Sequence, residues 1–373
     1  MNRFKVLTAA FLWGACVIAS GVLAAPPSIQ PGSWTLAILP DTQKYAQSYP
    51  AIFNAQTQFL ADYKGTLNLA FVLHEGDIVN KDLPAQWTVA SNAFVTLETA
   101  SLNYILAAGN HEFGEDGKMV DRISLMSDYF PVSRLDNQPT FGDVYPGEPT
   151  LIHNSYSFFS AGSTDWLALT LECGPRDEIV DWADSVLKAH PGRQAMIVTH
   201  AYMYFDDTRY DWAAKGDTQD WSPHSFPIIY GLPPDALGTI NDGEEIWQQL
   251  KDNRNLQFIF SGHVLGDGTG YLANTADEGN VVHQILANYQ FYTNGGNGYM
   301  RLLEFLPDGR TVHVRTYSPY LDASLTTADQ DFVLTMTQVP EPSTWALLVL
   351  AGLTLAACVR RRSQLNHPCP GRH

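Results

Sequence analysis

Cysteine is scarce in this chain of 373 residues, and three of its four cysteines, Cys16, Cys358 and Cys369, lie in the terminal segments. Cys173 alone remains in the body, so no intramolecular disulfide can form there, and no CxxC or zinc-knuckle spacing occurs. A chain of this length buries enough core to need no crosslink, even in an oxidising compartment. Basic residues are few as well: 22 Lys+Arg against 39 Asp+Glu give a net charge of -17. That balance leaves no basic face for phosphate backbones, so a nucleic-acid partner is not expected. An acidic chain that handles phosphate must neutralise its own field locally, and bound cations are one means of doing so. Charged residues make up only 16%, while 9 Trp, 17 Tyr and 18 Phe supply core material. This composition excludes intrinsic disorder. Internal repeats and low-complexity tracts are absent.

The ends of the chain read as addresses. Arg3 and Lys5 precede an apolar stretch from Val6 to Leu23, and Val22-Leu23-Ala24 offers small residues at the junction. These are the parts of a secretory signal peptide over 1–24, cut by signal peptidase after Ala24, with an uncleaved anchor as the alternative. At the other end Pro340-Glu341-Pro342 precedes the apolar run Trp345 to Val359 and then Arg360-Arg361-Arg362. Fifteen apolar residues fall short of the about 20 that a full span needs. The arginines should stay cytoplasmic, which places the body across the membrane. This series resembles the PEP-CTERM sorting signal of Gram-negative bacteria, over 339–362 with a hydrophobic helix at 345–359. The resemblance implies processing by an exosortase-type protease and transient or permanent membrane attachment through that helix. It also implies delivery to the cell envelope, outer surface or extracellular matrix. The tail from Ser363 to His373 departs from the pattern, since such signals end just after the basic cluster, and a plain anchor is the alternative. The two ends hold six of the basic residues and one acidic residue, Glu341, so the body keeps 16 against 38 and stands near -22.

In the body, short apolar runs alternate with amphipathic stretches. Thr35–Leu39, Leu67–Leu73 and Tyr104–Ala107 read as strands, with helices over Ala51–Tyr63 and Ala85–Leu97 between them. That order predicts βαβ units and a parallel sheet. Trp166–Leu171, Gln194–Val198 and Leu256–Phe260 continue the series. Val281–Tyr289, Met300–Phe305 and Thr311–Tyr317 then read as strands of an antiparallel half, with Pro307-Asp308-Gly309 as a hairpin turn. The expected class is α/β, two packed β-sheets flanked by helices.

Five of these runs end in residues that bind metals. They are Asp41-Thr42-Gln43, Gly76-Asp77-Ile78-Val79-Asn80, Gly109-Asn110-His111-Glu112, Thr199-His200 and Gly262-His263. Ligands in open α/β sheets sit outside the carboxyl ends of strands. Asp, Asn and His together suit divalent cations, and a carboxylate between two cations can bridge them. A lone Gly-Asp after a strand is usually a turn; the weight lies in five such ends occurring in order.

The order D-x-(H), G-D, G-N-H-(D/E), H, G-H resembles the calcineurin-like metallophosphoesterases, by motif over 41–263 and by fold over 33–337. The resemblance implies an αββα sandwich and two divalent cations (Mn, Fe, Zn or Mg). It implies hydrolysis of a phosphomonoester or phosphodiester by attack of metal-bound hydroxide on phosphorus. Asp77 would bridge both cations; Asn110, His200 and His263 would complete one site, and Asp41 would lie in the other. His111 would be the acid assisting the leaving oxygen. Two positions depart: Gln43 stands where a His is usual, and Leu265 stands two residues after His263 where another is. An amide oxygen is a hard, neutral ligand and leucine is none, so Asp267 and His283 become candidate substitutes. The alternative is a non-catalytic phosphate or surface-polymer binding protein with a degraded first metal site; a mere surface scaffold is a third reading.

Some residues carry two readings. His74 is either a neighbour of the ligands or a hydrogen-bonded core histidine. Arg209, in the long aromatic segment from Tyr202 to Gly243, would clamp a substrate phosphate or pair with Asp206, Asp207 or Asp211. Asn294-Gly295-Gly296-Asn297-Gly298 is an anion cradle or a turn between strands, and Asp267 to Glu278 a calcium loop or a solvated one.

Overall fold

A computed structural model describes residues 25–114, 116–233 and 235–337. The signal peptide expected at 1–24 and the sorting signal expected at 339–362 lie outside the described residues. The strands in chain order are β1 (Trp34–Leu39), β2 (Leu69–His74), β3 (Tyr104–Leu106), β4 (Phe141–Val144), β5 (Ser155–Ala161), β6 (Thr164–Thr170) and β7 (Gln194–Val198). They continue with β8 (Leu256–Ser261), β9 (Thr269–Thr275), β10 (Val281–Ala287), β11 (Met300–Phe305), β12 (Thr311–Ser318), β13 (Ala323–Leu325) and β14 (Asp331–Thr335). Among the described residues these form two seven-stranded sheets. One has the order β13-β12-β11-β1-β2-β3, with β14 also on β12; the other has the order β4-β5-β6-β7-β8-β10-β9.

The apolar runs are continuous because both faces of the central strands are buried. In β1, Leu36 and Ile38 face the second sheet while Ala37 and Leu39 face the helices. The same alternation places Met196, Val198, Phe258, Phe260, Leu303 and Phe305 between the sheets. Aromatic rings lock that interface: Phe71 stacks on Phe159 of the opposite sheet with centroids 4.7 Å apart, and Trp34 meets Trp166 edge-on at 5.7 Å. Such pairs add about 0.5–1.5 kcal/mol each beyond their area.

The helices cover the outer faces. Pro50–Asp62 and Pro84–Thr99 both begin on a proline, whose missing N–H is an orphan in the first turn in any case. Asp177–Ala189 buries Ile179, Val180, Ala183, Val186 and Leu187, an i, i+1, i+4, i+7, i+8 stripe, and opens on Asp177 and Glu178 at the positive end of its dipole.

The expected division into a parallel half and an antiparallel half does not hold, because each sheet is mixed. β1 lies parallel to β2 and antiparallel to β11, in the register Trp34↔Phe305. The hairpin at Pro307-Asp308-Gly309 is present: Asp308 accepts from the N–H groups of Arg310 and Thr311, and Gly309 takes φ +68°. The stretch after Asp267 is not a solvated loop, since Thr269–Thr275 is β9, paired antiparallel with β10. Its Thr and Tyr content suits a strand, and the acids that hid it lie at its flanks.

β1, β2 and β3 are parallel to one another, and so are β6, β7, β8 and β10. The two parallel sets bring the carboxyl ends of β1, β2, β3, β7 and β8 to one end of the sandwich, where the five polar clusters meet.

Candidate metal centre

The loops after β2 and β3 approach each other more closely than side chains would permit. Gly76 takes φ +92° and Asp77 φ +49°, turning the Asp77 carboxylate back over the strand ends. A Cβ on Gly76 would come 2.8 Å from both Gly109 N and His200 Nδ1. Glu112, fully buried, ties the two loops together: its Oε1 accepts from Val79 N at 3.1 Å and its Oε2 from Gly109 N at 2.7 Å.

Asp77 lies at the middle of the result. Its Oδ1 accepts from His111 N at 3.0 Å and lies 3.1 Å from His200 Nε2. Its Oδ2 accepts from Gln43 Nε2 at 2.8 Å, so the two oxygens face opposite sides of the cluster. On the Oδ1 side, His200 Nε2 is 3.1 Å from Asn110 Oδ1 and 3.2 Å from His263 Nδ1. The far nitrogen of each histidine is fixed, His200 Nδ1 donating to Glu75 O at 2.8 Å and His263 Nε2 to Trp221 O at 2.9 Å. Those bonds select the tautomers that aim His200 Nε2 and His263 Nδ1 at one point with Asp77. Four ligands around a zinc-sized cation at about 2.1 Å stand about 3.4 Å apart, so these separations fit a cation.

On the Oδ2 side lies Asp41, 2% exposed. It accepts from His263 N, from Asn288 Nδ2 at 2.9 Å and from Gln290 Nε2 at 3.2 Å. Gln43 Oε1 is buried with no hydrogen-bond partner, an orphaned acceptor beside two carboxylates, and so fits a cation here as well.

The electrostatics match a site built for positive charge. Burial and the neighbouring Asp77 carboxylate push Asp41 up to about 8 against the pull of His200. Burial works to raise Asp77 too, but His200 and His111 hold it well below the usual carboxylate range. Burial would lower His200, yet Asp77 and Asp41 raise it to about 9, while burial and His200 hold His263 at about 3. His111 differs from the rest in having a side chain 21% exposed, with Nδ1 donating to Asn80 O at 2.7 Å and Nε2 3.9 Å from Asp77 Oδ2.

The structure thus brings together Asp41, Gln43, Asp77, Asn110, His111, His200 and His263. Arg209 is not among them. Its Nε donates to Glu244 at 2.7 Å and its Nη1 to Asn274 and Gln284, with the guanidinium over the Trp247 ring. Its role is structural, and its partner is Glu244 rather than the acids beside it in sequence. The two substitute ligands also fail. Asp267 caps its own turn through Thr269 N, and His283 is held by the Tyr271 hydroxyl and the Thr335 carbonyl. His74 is a core histidine, bonded to Thr42 Oγ1 and Gly76 N and lowered to about 3 by burial and His200. The Asn294–Gly298 segment is a turn that packs on Tyr45, whose hydroxyl accepts from Gly298 N. Asn288 and Gln290 escaped the sequence reading because the run Val281–Tyr289 continues two residues past the true end of β10 at Ala287. Among the described residues no helix is long and apolar enough to cross a membrane.

The calcineurin-like phosphoesterase profile matches residues 35–267, and the PEP-CTERM protein-sorting motif matches residues 338–362. That motif marks export and sorting to the bacterial cell surface. An uncharacterized protein of Bacillus subtilis (strain 168), YvnB, is 32% identical over 295 residues, 77% of this chain. The matched part is only 20% of that relative's length. Among solved structures, a dimetal phosphatase from Danio rerio superposes with a TM-score of 0.47 at 12% identity, over 82% of this chain and 99% of that one. A purple acid phosphatase from yellow lupin (Lupinus luteus) seeds gives 0.45 at 14% identity, over 82% and 55%. With the profile spanning more than half of the chain, three strands of the first sheet and five of the second, and with all five metal-binding strand ends meeting around Asp77, the chain belongs to the calcineurin-like phosphoesterase family.

Proposed function

We propose that this protein is an exported, metal-dependent phosphoesterase that hydrolyses a phosphomonoester or phosphodiester at the cell envelope or outer surface of a Gram-negative bacterium. In this reading the signal peptide at 1–24 is removed, and an exosortase-type protease processes the 339–362 signal. The observation that carries the reading is the convergence of Asp77, His200 and His263, whose ligand atoms all lie within 4.8 Å of one another, beneath a partly exposed His111.

Asp77, Asn110, His200 and His263 would hold one divalent cation, and Asp77, Asp41 and Gln43 the other, with Asp77 shared through its two oppositely directed oxygens. Such cations supply a Lewis acid for phosphoryl oxygens and lower the pKa of water toward neutrality. The chain's own contribution to bond cleavage is His111. Its Nδ1 is committed to the Asn80 carbonyl, which leaves Nε2 as the atom that carries a proton to the leaving oxygen. Asn80 thereby orients the acid, and His200 and His263, fixed by Glu75 O and Trp221 O, orient the ligands.

The test uses the full chain loaded with Mn²⁺. It should hydrolyse an aryl phosphate and a poorer alkyl ester. His111→Ala should keep its cations but lose about 10²-fold or more in kcat on the alkyl ester. The loss should be smaller on the aryl ester, which departs without a proton. Loaded protein that hydrolyses neither ester yet binds phosphate compounds would establish the binding-protein reading instead.

A further inference from the structure

We propose that the cation position on the Asp41 side is an all-oxygen site completed by the amides of Gln43 and Gln290, with Asn288 holding Asp41 in place. The centre then pairs a histidine-containing position with one suited to a hard cation, Mn²⁺ or Mg²⁺. The inference rests on the metal-centre reading above and names what completes its incomplete half.

Three primary amides are turned toward two carboxylates. Gln43 donates to Asp77 Oδ2, and Asn288 and Gln290 both donate to Asp41 Oδ2. All three are buried, at 1%, 4% and 7% exposure. A primary amide carries its donor nitrogen and acceptor oxygen on one planar tip, and a half-turn about the last side-chain bond exchanges them. Gln43 and Gln290 can therefore offer hydrogen to a carboxylate or oxygen to a cation, whereas Asn288, with Nδ2 on His263 O and Oδ1 on Gln290 N, stays the donor that positions Asp41. Gln43 already has its oxygen in the buried space beside Asp77 without a donor to satisfy it. Gln43 Oε1 is one of three unpartnered buried acceptors in this region, with both carboxyl oxygens of Glu75, and such orphans point to a ligand with positive charge.

Neither His200 nor His263 directs its ring to this side. Each aims one nitrogen at the other and uses the second on a backbone carbonyl. The oxygens available around Asp41 are thus those of two carboxylates and of the Gln43 and Gln290 amides, with Asn288 as the donor that positions Asp41. Carboxylate, amide and water oxygens suit Mg²⁺ and Mn²⁺, whereas imidazole favours zinc and its neighbours. The segment supplying Asn288 and Gln290 is stiff. Asn288 Oδ1 accepts from Gln290 N at 3.0 Å, and Asn288 N donates to Gly268 O at 2.8 Å. Asn288 also donates to His263 O at 3.0 Å, which links this loop to the one carrying the other position's ligand.

The full chain would be titrated with Mn²⁺, Mg²⁺ or Zn²⁺ alone, following heat and bound metal, with electron paramagnetic resonance of the Mn²⁺-loaded form. Wild type should take two Mn²⁺ per chain and show an exchange-coupled spectrum. Asn288→Leu with Gln290→Leu should hold one Mn²⁺ with an uncoupled spectrum, its remaining affinity within about threefold of wild type. Gln43→His, which adds an imidazole at similar volume, should raise the Zn²⁺-over-Mn²⁺ preference of the weaker position at least tenfold; this decides the matter if the double variant does not fold. Two coupled Mn²⁺ in the folded double variant, or no change of preference in Gln43→His, would overturn the inference. These readouts do not depend on turnover. Coupled Mn²⁺ without hydrolysis refutes the enzyme reading alone, and hydrolysis with these cation results reversed refutes this inference alone.

Discussion

Replacing Gly109 by alanine separates space from backbone strain at the heart of the centre. Gly109 takes φ -86°, which any residue adopts, so alanine there carries no conformational penalty. What it meets is Asp77: a Cβ would overlap both Asp77 Oδ1 and Asp77 N, and would lie 3.0 Å from His200 Cε1. The Gly109 loop cannot retreat freely, because Gly109 N is bonded to Glu112 Oε2 and Cys173 N to Ala108 O. Either the surroundings absorb an overpacked methyl at about 1–3 kcal/mol, or Asp77 swings away. Swinging gives up its bonds to His111 N and His200 Nε2, each of the charged class worth about 1.5–3 kcal/mol. The chain takes the cheaper course, so a loss of about 2–3 kcal/mol is expected. Where Asp77 swings, cation affinity should fall as well. Urea unfolding and metal analysis of the full chain measure the two effects. Gly65→Ala is the control, since a Cβ there meets nothing within 4 Å and should change stability by no more than about 0.5 kcal/mol. If Gly109→Ala matched that control in unfolding and kept full cation content, the claim that the two loops close on Asp77 would be wrong.

Two further predictions lie outside the centre. Glu172, 1% exposed, accepts from Arg176 Nε at 2.8 Å and Asn154 Nδ2 at 3.0 Å and pairs with Arg122 at 3.1 Å. Glu172→Ala leaves Arg122 buried and unpaired, so denaturant unfolding should show a loss of about 3–5 kcal/mol, and a change below about 1 kcal/mol would refute the buried-pair account. His153 is lowered by burial to about 4, so the unfolded chain takes its proton first. Its contribution is therefore complete above the ordinary value of 6.5 and is lost as pH falls from there toward 4. His153→Phe, which keeps an aromatic edge on Phe113, should reduce the stability lost between pH 7.5 and 5 by about 2 kcal/mol relative to wild type. Parallel stability–pH curves for the two proteins would remove His153 from the acid response.

The legible part of the centre consists of residues that follow an apolar strand directly. Asp41, Asp77, Asn110, His200 and His263 come two to four residues after β1, β2, β3, β7 and β8, and parallel strands must put such residues at a common end. Asn288 and Gln290 obey the same rule but were masked, because Tyr289 between them is 1% exposed and reads as one more strand residue. Partners that depend on long-range pairing were not legible either. Nothing near Arg209 in sequence announces Glu244, 35 residues away, as the group it binds. Likewise the register that joins β1 to β11 is fixed by Trp34 stacking on Phe305 at 3.9 Å, a contact across most of the chain. Sequence periodicity reports which face of a strand is buried, and it is silent on which strand lies beside it.

The distribution of exposure in the centre divides its labour. Asp41, Gln43, Asp77, Asn110 and His200 are buried at 5% or less, and His263 at 7%, whereas the His111 side chain is 21% open. Buried carboxylates in a chain of net charge -17 stand in a field that repels any phosphate ester. Asp41, buried and beside the Asp77 carboxylate, also loses its proton reluctantly. Divalent cations relieve both problems at once, replacing the proton at Asp41 and reversing the local sign of charge at the mouth. A site of this kind should therefore bind cations and anionic substrate in a thermodynamically linked way, each strengthening the other. His111 stands outside that linkage: it contacts solvent and needs no cation for its geometry, since Asn80 O and Asp77 Oδ1 already fix its ring and its backbone.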